Sequence, residues 1–205
     1  MQRRLECVRK KYVEKREKSI VFGKNSMWAD VEGDEATFDK RIKGDHCLLW
    51  EQWCGLVQRG RPETLVLARL QPPLTIPRAP GPGPITKKDW KPLAQKHLAN
   101  RKIIFHTDSA KAYKLKLPGV IHDVVSHKLP DGKHLKVKAG TQHIDWCWKF
   151  LKERLSEGPG CRAGMARLRR KIRATQYEYW HRGNDLWSCT GDLLHDYMSD
   201  IMAKP

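Results

Sequence analysis

The chain has 205 residues, and 40% of them are hydrophobic, with eight tryptophans in the sequence. This composition excludes an intrinsically disordered chain even though 31% of the residues are charged. The 40 lysines and arginines exceed the 23 acids and give a net charge of +17, which favours a partner that carries many phosphates and makes nucleic acid the first expectation.

The first half of the chain predicts a helix and three strands. Residues 1–25 are a basic segment whose apolar residues are spaced for one helical face. The runs MWADVEGDEATF, CLLWEQWCGLVQ and ETLVLARL then predict three antiparallel strands separated by short turns. Residues 71–84 are dense in proline and glycine, so we expect a loop there.

The second half predicts helices that alternate with strands. Thr86 is a suitable N-cap for a helix, RKIIFHTDS predicts a buried strand, and GVIHDVVSH predicts another strand after a helix or turn in SAKAYKL. QHIDWCWKFLKERLSEG predicts the clearest helix, which Gly158 and Pro159 end. We therefore expect an α/β fold with a mixed sheet flanked by helices over residues 26–158, and a basic, aromatic helical extension over residues 159–205.

Three acids lie at informative places in this pattern. Asp34 is in the first strand, Asp108 ends the strand KIIFHTD, and Asp145 is in the first turn of the closing helix. Such elements can converge, and carboxylates that lie close together repel unless cations bind. Oxygen ligands favour Mg²⁺ or Mn²⁺, and a pair of these ions supports phosphoryl transfer. The alternative is that these acids are turn residues and solvated charges.

Six segments carry a resemblance to a known family. VEGDEATF, GLVQRG, HTDSAKAY, VVSHK, TQHIDWCWKFLK and YEYWHR follow one another over about residues 26–197. In this order they resemble the DDE transposases of the Merlin type and their bacterial insertion-sequence relatives. The resemblance implies a ribonuclease H-like fold with three antiparallel strands followed by parallel ones. It also implies that Asp34, Asp108 and Asp145 hold two Mg²⁺ or Mn²⁺ ions.

The resemblance implies an activity and partners as well. Such a domain cleaves DNA at transposon ends and transfers the freed strand, usually as a homo-oligomer on paired ends. Two departures keep other functions open: the family's third acid is glutamate where this chain has Asp145, and we expect the module that recognises transposon ends to be missing. The alternatives are an inactive or domesticated transposase domain that only binds DNA, and a basic RNA-binding protein outside this family.

Other residues near the motifs receive simpler interpretations. Six basic residues are candidates for contacting DNA phosphates, against the alternative of a solvated surface: Lys111, Lys149, Lys152, Arg169, Arg170 and Lys171. Three further acids are interpreted as outside the metal site. Glu35 is expected on the strand face opposite Asp34, and Asp30 and Glu32 are expected to be solvated charges. Five aromatic or imidazole residues are expected to be structural: His106, His127, His143, Trp146 and Trp148.

The sequence also bears on location. No run of about 18 apolar residues appears, and the N-terminal segment lacks the apolar core of a signal peptide. The six cysteines include no C-x-x-C pair, so a zinc ribbon is not supported and reduced thiols are expected. We therefore expect an intracellular protein, nuclear in a eukaryote or in the cytoplasm or nucleoid of a bacterium, with neither a membrane nor a small-molecule substrate as partner.

Overall fold

A six-stranded mixed sheet forms the centre of the computed structural model, which describes residues 2–23, 28–44, 46–71, 73–108, 110–124, 140–155 and 161–202. Numbered in chain order, β1 to β6 are Ala29–Lys43, Cys47–Gln58, Arg61–Arg69, Leu74–Thr75, Ile103–Thr107 and Val120–Val124. The order across the sheet is β3-β2-β1-β5-β6, and β4 pairs with β2. The first three strands are antiparallel, and β5 and β6 run parallel to β1.

Five α-helices surround this sheet in the described part of the chain. Numbered in chain order, α1 to α5 are Gln2–Glu17, Lys87–His97, Gln142–Leu155, Ala166–Trp180 and Leu186–Met202. A short 3₁₀ helix at Lys111–Lys114 follows β5. Thr86 caps α2 as its sequence predicts, because its hydroxyl accepts a hydrogen bond from the backbone N–H of Asp89 at 3.2 Å.

The mixed α/β architecture predicted from the sequence is confirmed, with one local difference. The segment at residues 71–84 contains the two-residue strand β4, where a loop alone was expected. Its Leu74 and Thr75 pair with the start of β2, beyond the part of β2 that β3 covers. The prolines are tolerated because such a short edge strand needs few ladder hydrogen bonds.

The two faces of the sheet bury separate apolar clusters. On one face, α3 and α4 pack against β1, β2 and β3, with Trp53, Ile144 and Tyr177 among the buried side chains. On the other face, α2 and the 3₁₀ helix cover a cluster that includes Trp90 and Phe105. Side chains of a strand alternate between its faces, so successive residues of β1 serve different clusters.

The N-terminal and C-terminal helices complete the first of these clusters. Helix α4 lies between α3 and α1, and the indole of Trp180 donates to the carbonyl of Leu65 in β3 at 2.9 Å. Ion pairs join α1 to α4, including Arg170 with Glu6 at 2.9 Å. None of the described helices is long and apolar enough to cross a membrane.

Some sequence expectations fall outside the described residues. They concern the end of the strand in GVIHDVVSH, the basic connection that follows it with His127, and the helix stop at Gly158 and Pro159.

Candidate metal centre

Asp34 and Asp108 lie side by side because of the strand register. Strand β1 pairs in parallel with β5 so that Glu32 is opposite His106. Two residues further along each strand come Asp34, which is within β1, and Asp108, which directly follows β5. The backbone N–H of Ala110 donates to Asp108 Oδ1 at 3.0 Å, so this acid is both a turn residue and a member of the site.

Three carboxylates converge at this point. One oxygen each of Asp34, Glu35 and Asp108 lies within 4.8 Å of the other two, and all three residues are half-buried. Glu35, which the sequence indicated as a neighbour of the site rather than a ligand, thus has its carboxylate within the group. Its side chain does leave β1 on the α2 face, where the backbone N–H of Ile85 donates to it at 2.9 Å, yet its carboxylate still reaches the group.

The electrostatics of this group suit a cation. The pKa of Asp34 is raised to about 6, chiefly by burial and to a smaller extent by the neighbouring carboxylates of Asp145 and Asp108, which act against the hydrogen bond from the indole of Trp148. The pKa of Glu35 is likewise raised to about 7, chiefly by burial and to a smaller extent by the charges of Asp34 and Asp108. In the described part of the chain, no lysine or arginine forms an ion pair with these three acids.

Asp145 approaches the same place from α3 but stands outside the tightest group. It lies in the first turn of the helix, is exposed, and is close enough to raise the pKa of Asp34. One turn later, the indole of Trp148 donates to Asp34 Oδ2 at 3.1 Å. Residues three apart share a helix face, so this hydrogen bond turns the face that carries Asp145 toward β1.

A buried glutamate fixes the start of α3. Glu32 is fully buried, and its Oε2 accepts the backbone N–H groups of His143 and Ile144 at 2.7 and 3.0 Å. Its Oε1 accepts from Arg59 Nε at 2.6 Å, and Arg59 also donates to the carbonyl of Gly140 at 2.7 Å. Glu32 thus caps α3 from a neighbouring strand and satisfies two N–H groups that have no partner within the helix.

This arrangement corrects the interpretation of Glu32 as a solvated charge. The period-two spacing of Asp30, Glu32 and Asp34 was the available signal, but it indicates only that the three side chains share a face. Asp30 remains partly exposed and lies 2.7 Å from His106 Nε2, whose ring is buried. His143 contacts Glu32 through Nδ1 at 3.3 Å, so His106 and His143 are each hydrogen-bonded to an acid.

Two glycines allow the close packing that brings these elements together. A Cβ on Gly33 would lie 2.7 Å from the ring of Phe105, and one on Gly55 would lie 2.6 Å from the ring of Trp148. Gly55 pairs with Asp34 across β1 and β2, so the indole that covers it also reaches the Asp34 carboxylate. The glycine at position 33, which weakens a strand interior, is explained by this lack of space.

The candidate DNA-contacting residues fall into two groups. Lys111, Lys149 and Lys152 are exposed, the first in the 3₁₀ helix and the other two on α3. The candidate basic residues on α4 are half-buried. Arg170 forms an ion pair with Glu6, and Arg169 donates a hydrogen bond to the carbonyl of Gly164 at 3.3 Å.

Lys171 and the two tryptophans of α3 also differ in exposure. Lys171 of α4 is half-buried beside Arg170. Of the two tryptophans that were expected in the core, Trp148 is 5% exposed as predicted, whereas Trp146 is 63% exposed and faces solvent next to Asp145. The helix has 14 residues and packs along one side only, so its consecutive positions differ in burial.

Comparison of the chain with protein-family models, with curated proteins and with solved structures finds no match in any of the three. The family resemblance therefore depends on the sequence motifs alone.

Proposed function

We propose that this chain is a ribonuclease H-like transposase domain that cleaves and transfers DNA strands with two divalent metal ions. The observation that carries the proposal is the convergence of Asp34, Glu35 and Asp108, with Asp145 beside them. Three antiparallel strands are followed by two parallel ones, with Asp34 on the first strand and Asp108 directly after β5, and this arrangement supports the fold that the resemblance implies. The net charge of +17 suits a DNA substrate.

The residues present fit Mg²⁺ or Mn²⁺ because they offer carboxylate oxygens in a half-buried, mutually repelling group. Asp34 and Asp108 would hold the ions, and Asp145 would complete the set from α3. When bound, such ions supply activation of the attacking oxygen and stabilisation of the leaving oxygen in phosphoryl transfer. Trp148 orients the Asp34 carboxylate through its indole N–H, and Glu32 holds the helix that carries Asp145.

A nicking assay tests this proposal. Supercoiled plasmid is incubated with the purified chain in Mg²⁺, in Mn²⁺ and in EDTA, and relaxed circles are counted over time. We expect cleavage only with metal, and a loss of at least about 100-fold in Asp108→Asn, which keeps the shape of the side chain and removes its charge. Cleavage in EDTA, or full activity of Asp108→Asn, would contradict the proposal.

The second candidate function is that of an inactive transposase domain that binds DNA without cleaving it. The position of Asp145 outside the tightest carboxylate group favours this candidate. It predicts that DNA binds with the same affinity in wild type and Asp108→Asn, while neither nicks plasmid. Asp145→Glu, which restores the family's residue, separates the two: a gain of nicking means that the site is functional and limited by the reach of this side chain.

A further inference from the structure

The side chain of Trp146 lies open to solvent near the start of α3. Five of the eight tryptophans are at most 5% exposed, whereas Trp146 is 63% exposed. Exposure by itself indicates no ligand, because single apolar side chains are common on protein surfaces. What distinguishes Trp146 is the set of groups around its ring.

Aromatic and basic side chains lie around this ring. The ring of His143 has its centroid 6.1 Å from that of Trp146, and its side chain is 39% exposed. Lys149 lies one turn further along the same helix face, and its side chain is 76% exposed. The ion pair that it forms with Glu153 is 4.0 Å long and solvent-exposed, so it holds the lysine weakly. Proteins bind single-stranded nucleic acid with such a pair of groups, because the base stacks on the open ring and the phosphate lies at the cation.

The ring is held in a fixed position by contacts on either side of it along α3. Glu32 accepts hydrogen bonds from backbone N–H groups of the helix just before Trp146. Just after it, the indole of Trp148 donates to the Asp34 carboxylate at 3.1 Å. A binding group that is already held in place loses little conformational freedom when its ligand binds. The ring is therefore offered at a fixed place on the helix that brings Asp145 toward the carboxylate group.

Trp187 of α5 is also exposed, but its surroundings carry the opposite charge. It is 85% exposed, and α5 contains no lysine or arginine. The charged residues of α5 are Asp192, Asp196 and Asp200, which repel a chain of phosphates. Charge therefore separates the two exposed tryptophans, because the surroundings of Trp146 attract a nucleic acid strand and those of Trp187 repel one.

We propose that Trp146 stacks on an unpaired base of a DNA strand that lies along the exposed face of α3, with Lys149 at one of its phosphates. The base must be unpaired, because the neighbours of a base in a duplex cover both of its faces. The position of this strand relative to Asp34 and Asp108 rests on the proposed function, whereas the stacking itself requires no metal. The substrate class is thus a single strand, or a duplex with an unpaired nucleotide near the cleaved bond.

Fluorescence anisotropy in EDTA measures the stacking separately from any cleavage. The full chain is titrated at low salt into a labelled single-stranded oligonucleotide and into the duplex of the same sequence. We expect Trp146→Ala to weaken binding of the single strand about tenfold and that of the duplex less than about twofold, because only the unpaired base can stack. Trp146→Phe keeps an aromatic face and should stay within about threefold of wild type. No binding of the single strand, no loss in Trp146→Ala, or equal losses for the two DNAs would overturn the proposal.

Trp187→Ala is the matched control, because it removes the same side chain from an exposed position on an acidic helix. It should leave both affinities within about twofold of wild type. Both alanine variants should melt within about 2 °C of wild type, since neither indole is buried. A similar loss of single-strand affinity in the two variants would overturn the proposal.

An abasic oligonucleotide tests whether the indole contacts a base or the backbone. It keeps the phosphates of the single strand and lacks the bases, so wild type should bind it at least about tenfold more weakly. Trp146→Ala should bind the abasic strand with the wild-type affinity, because its contact is already removed there. Lys149→Ala should weaken binding of both strands by the same factor, because it removes a contact with phosphate. A loss in Trp146→Ala that persists on the abasic strand would contradict stacking.

Asp108→Asn distinguishes this inference from the proposed function. That variant should lose nicking and keep the preference for single strands that depends on Trp146. A chain that never nicks plasmid but shows this dependence would refute the nuclease and support the stacking. A chain that nicks plasmid, yet binds single strands equally in wild type and Trp146→Ala, would support the nuclease and overturn the stacking. RNA of the same sequence, bound more tightly than DNA and with the same dependence on Trp146, would overturn the assignment to DNA.

Discussion

At the residue scale, alternation along β1 decides what each acid does. Glu32 and Asp34 both face α3. Glu32 accepts hydrogen bonds from backbone N–H groups of the helix, and Asp34 accepts one from the indole N–H of Trp148. Glu35 faces α2 and still reaches the carboxylate group. One short run of sequence therefore supplies a helix cap and two members of the candidate metal site.

The raised pKa of Asp34 makes stability depend on pH in the absence of metal. The folded protein binds this proton more tightly than the unfolded chain, because burial raises the pKa from 3.8 to about 6. Protonation of Asp34 therefore adds to the free energy of unfolding below pH 3.8, and this contribution is lost as the pH rises toward 6. We therefore expect Asp34→Asn to gain about 1–3 kcal/mol in unfolding free energy relative to wild type between pH 4 and pH 7.

Urea unfolding in EDTA at a series of pH values measures this difference. Asp200→Asn on α5 is the control, because its side chain is 73% exposed and its effect should stay nearly constant. Parallel pH profiles for wild type and Asp34→Asn would show that Asp34 is not desolvated.

At the element scale, the position of α3 depends on two contacts with the sheet. Glu32 fixes the first turn, and Gly55 gives the ring of Trp148 room to lie against β2. Because Asp145 and Trp148 lie one turn apart, a shift of this helix would move both of them away from Asp34. The site is thus sensitive to residues that touch no substrate.

Glu32→Ala should destabilise the protein by about 3–5 kcal/mol, because it leaves Arg59 Nε and two backbone N–H groups of α3 without their acceptor. Chemical denaturation measures the loss, and hydrogen exchange should show faster exchange at His143 and Ile144. Glu14→Ala is the matched control. Its carboxylate pairs with Lys10 at 3.6 Å on an exposed helix face and contributes less than about 1 kcal/mol. Similar losses in both variants would argue against a capping role.

Gly55→Ala tests the close packing of α3 on the sheet. The added methyl group would lie 2.6 Å from the ring of Trp148, so we expect a loss of about 1–3 kcal/mol and a shift of the tryptophan emission. Gly191→Ala, in α5, meets nothing within 4 Å and should instead stabilise its helix by about 0.5–1 kcal/mol. An unchanged free energy of unfolding in Gly55→Ala would mean that α3 can move outward to make room for the methyl group.

At the scale of the whole molecule, the positive charge is shared between folding and binding. Arg170 and Arg173 pair with Glu6 and Glu17 of α1, so this part of the basic run in α4 joins helices together. Lys149 and Lys152 remain exposed on α3, the helix that carries Asp145. The net charge of +17 therefore overstates the number of cations that can contact phosphates.

The salt dependence of DNA affinity distinguishes these two uses of charge. Each phosphate contact contributes about 0.9 to the slope of log K against log salt concentration, so Lys149→Ala/Lys152→Ala should reduce the slope by about 1.8. Arg170→Ala should leave the slope within about 0.5 of the wild-type value and lower the thermal stability, because half-buried Glu6 loses its partner. A slope unchanged in the lysine variant would place the DNA on another surface.

Apart from the two-residue strand β4, the sequence by itself determined the order of helices and strands and the mixed sheet, because hydrophobic periodicity, turn residues and the cap at Thr86 are local signals. It also selected Asp34 and Asp108, because strand positions indicate which acids can share an edge. Only the tertiary structure decided that Glu35 enters the carboxylate group ahead of Asp145. It also decided that Glu32 caps a helix that begins more than 100 residues later. These outcomes depend on side-chain reach and on contacts between distant segments, and neither leaves a local pattern in the chain.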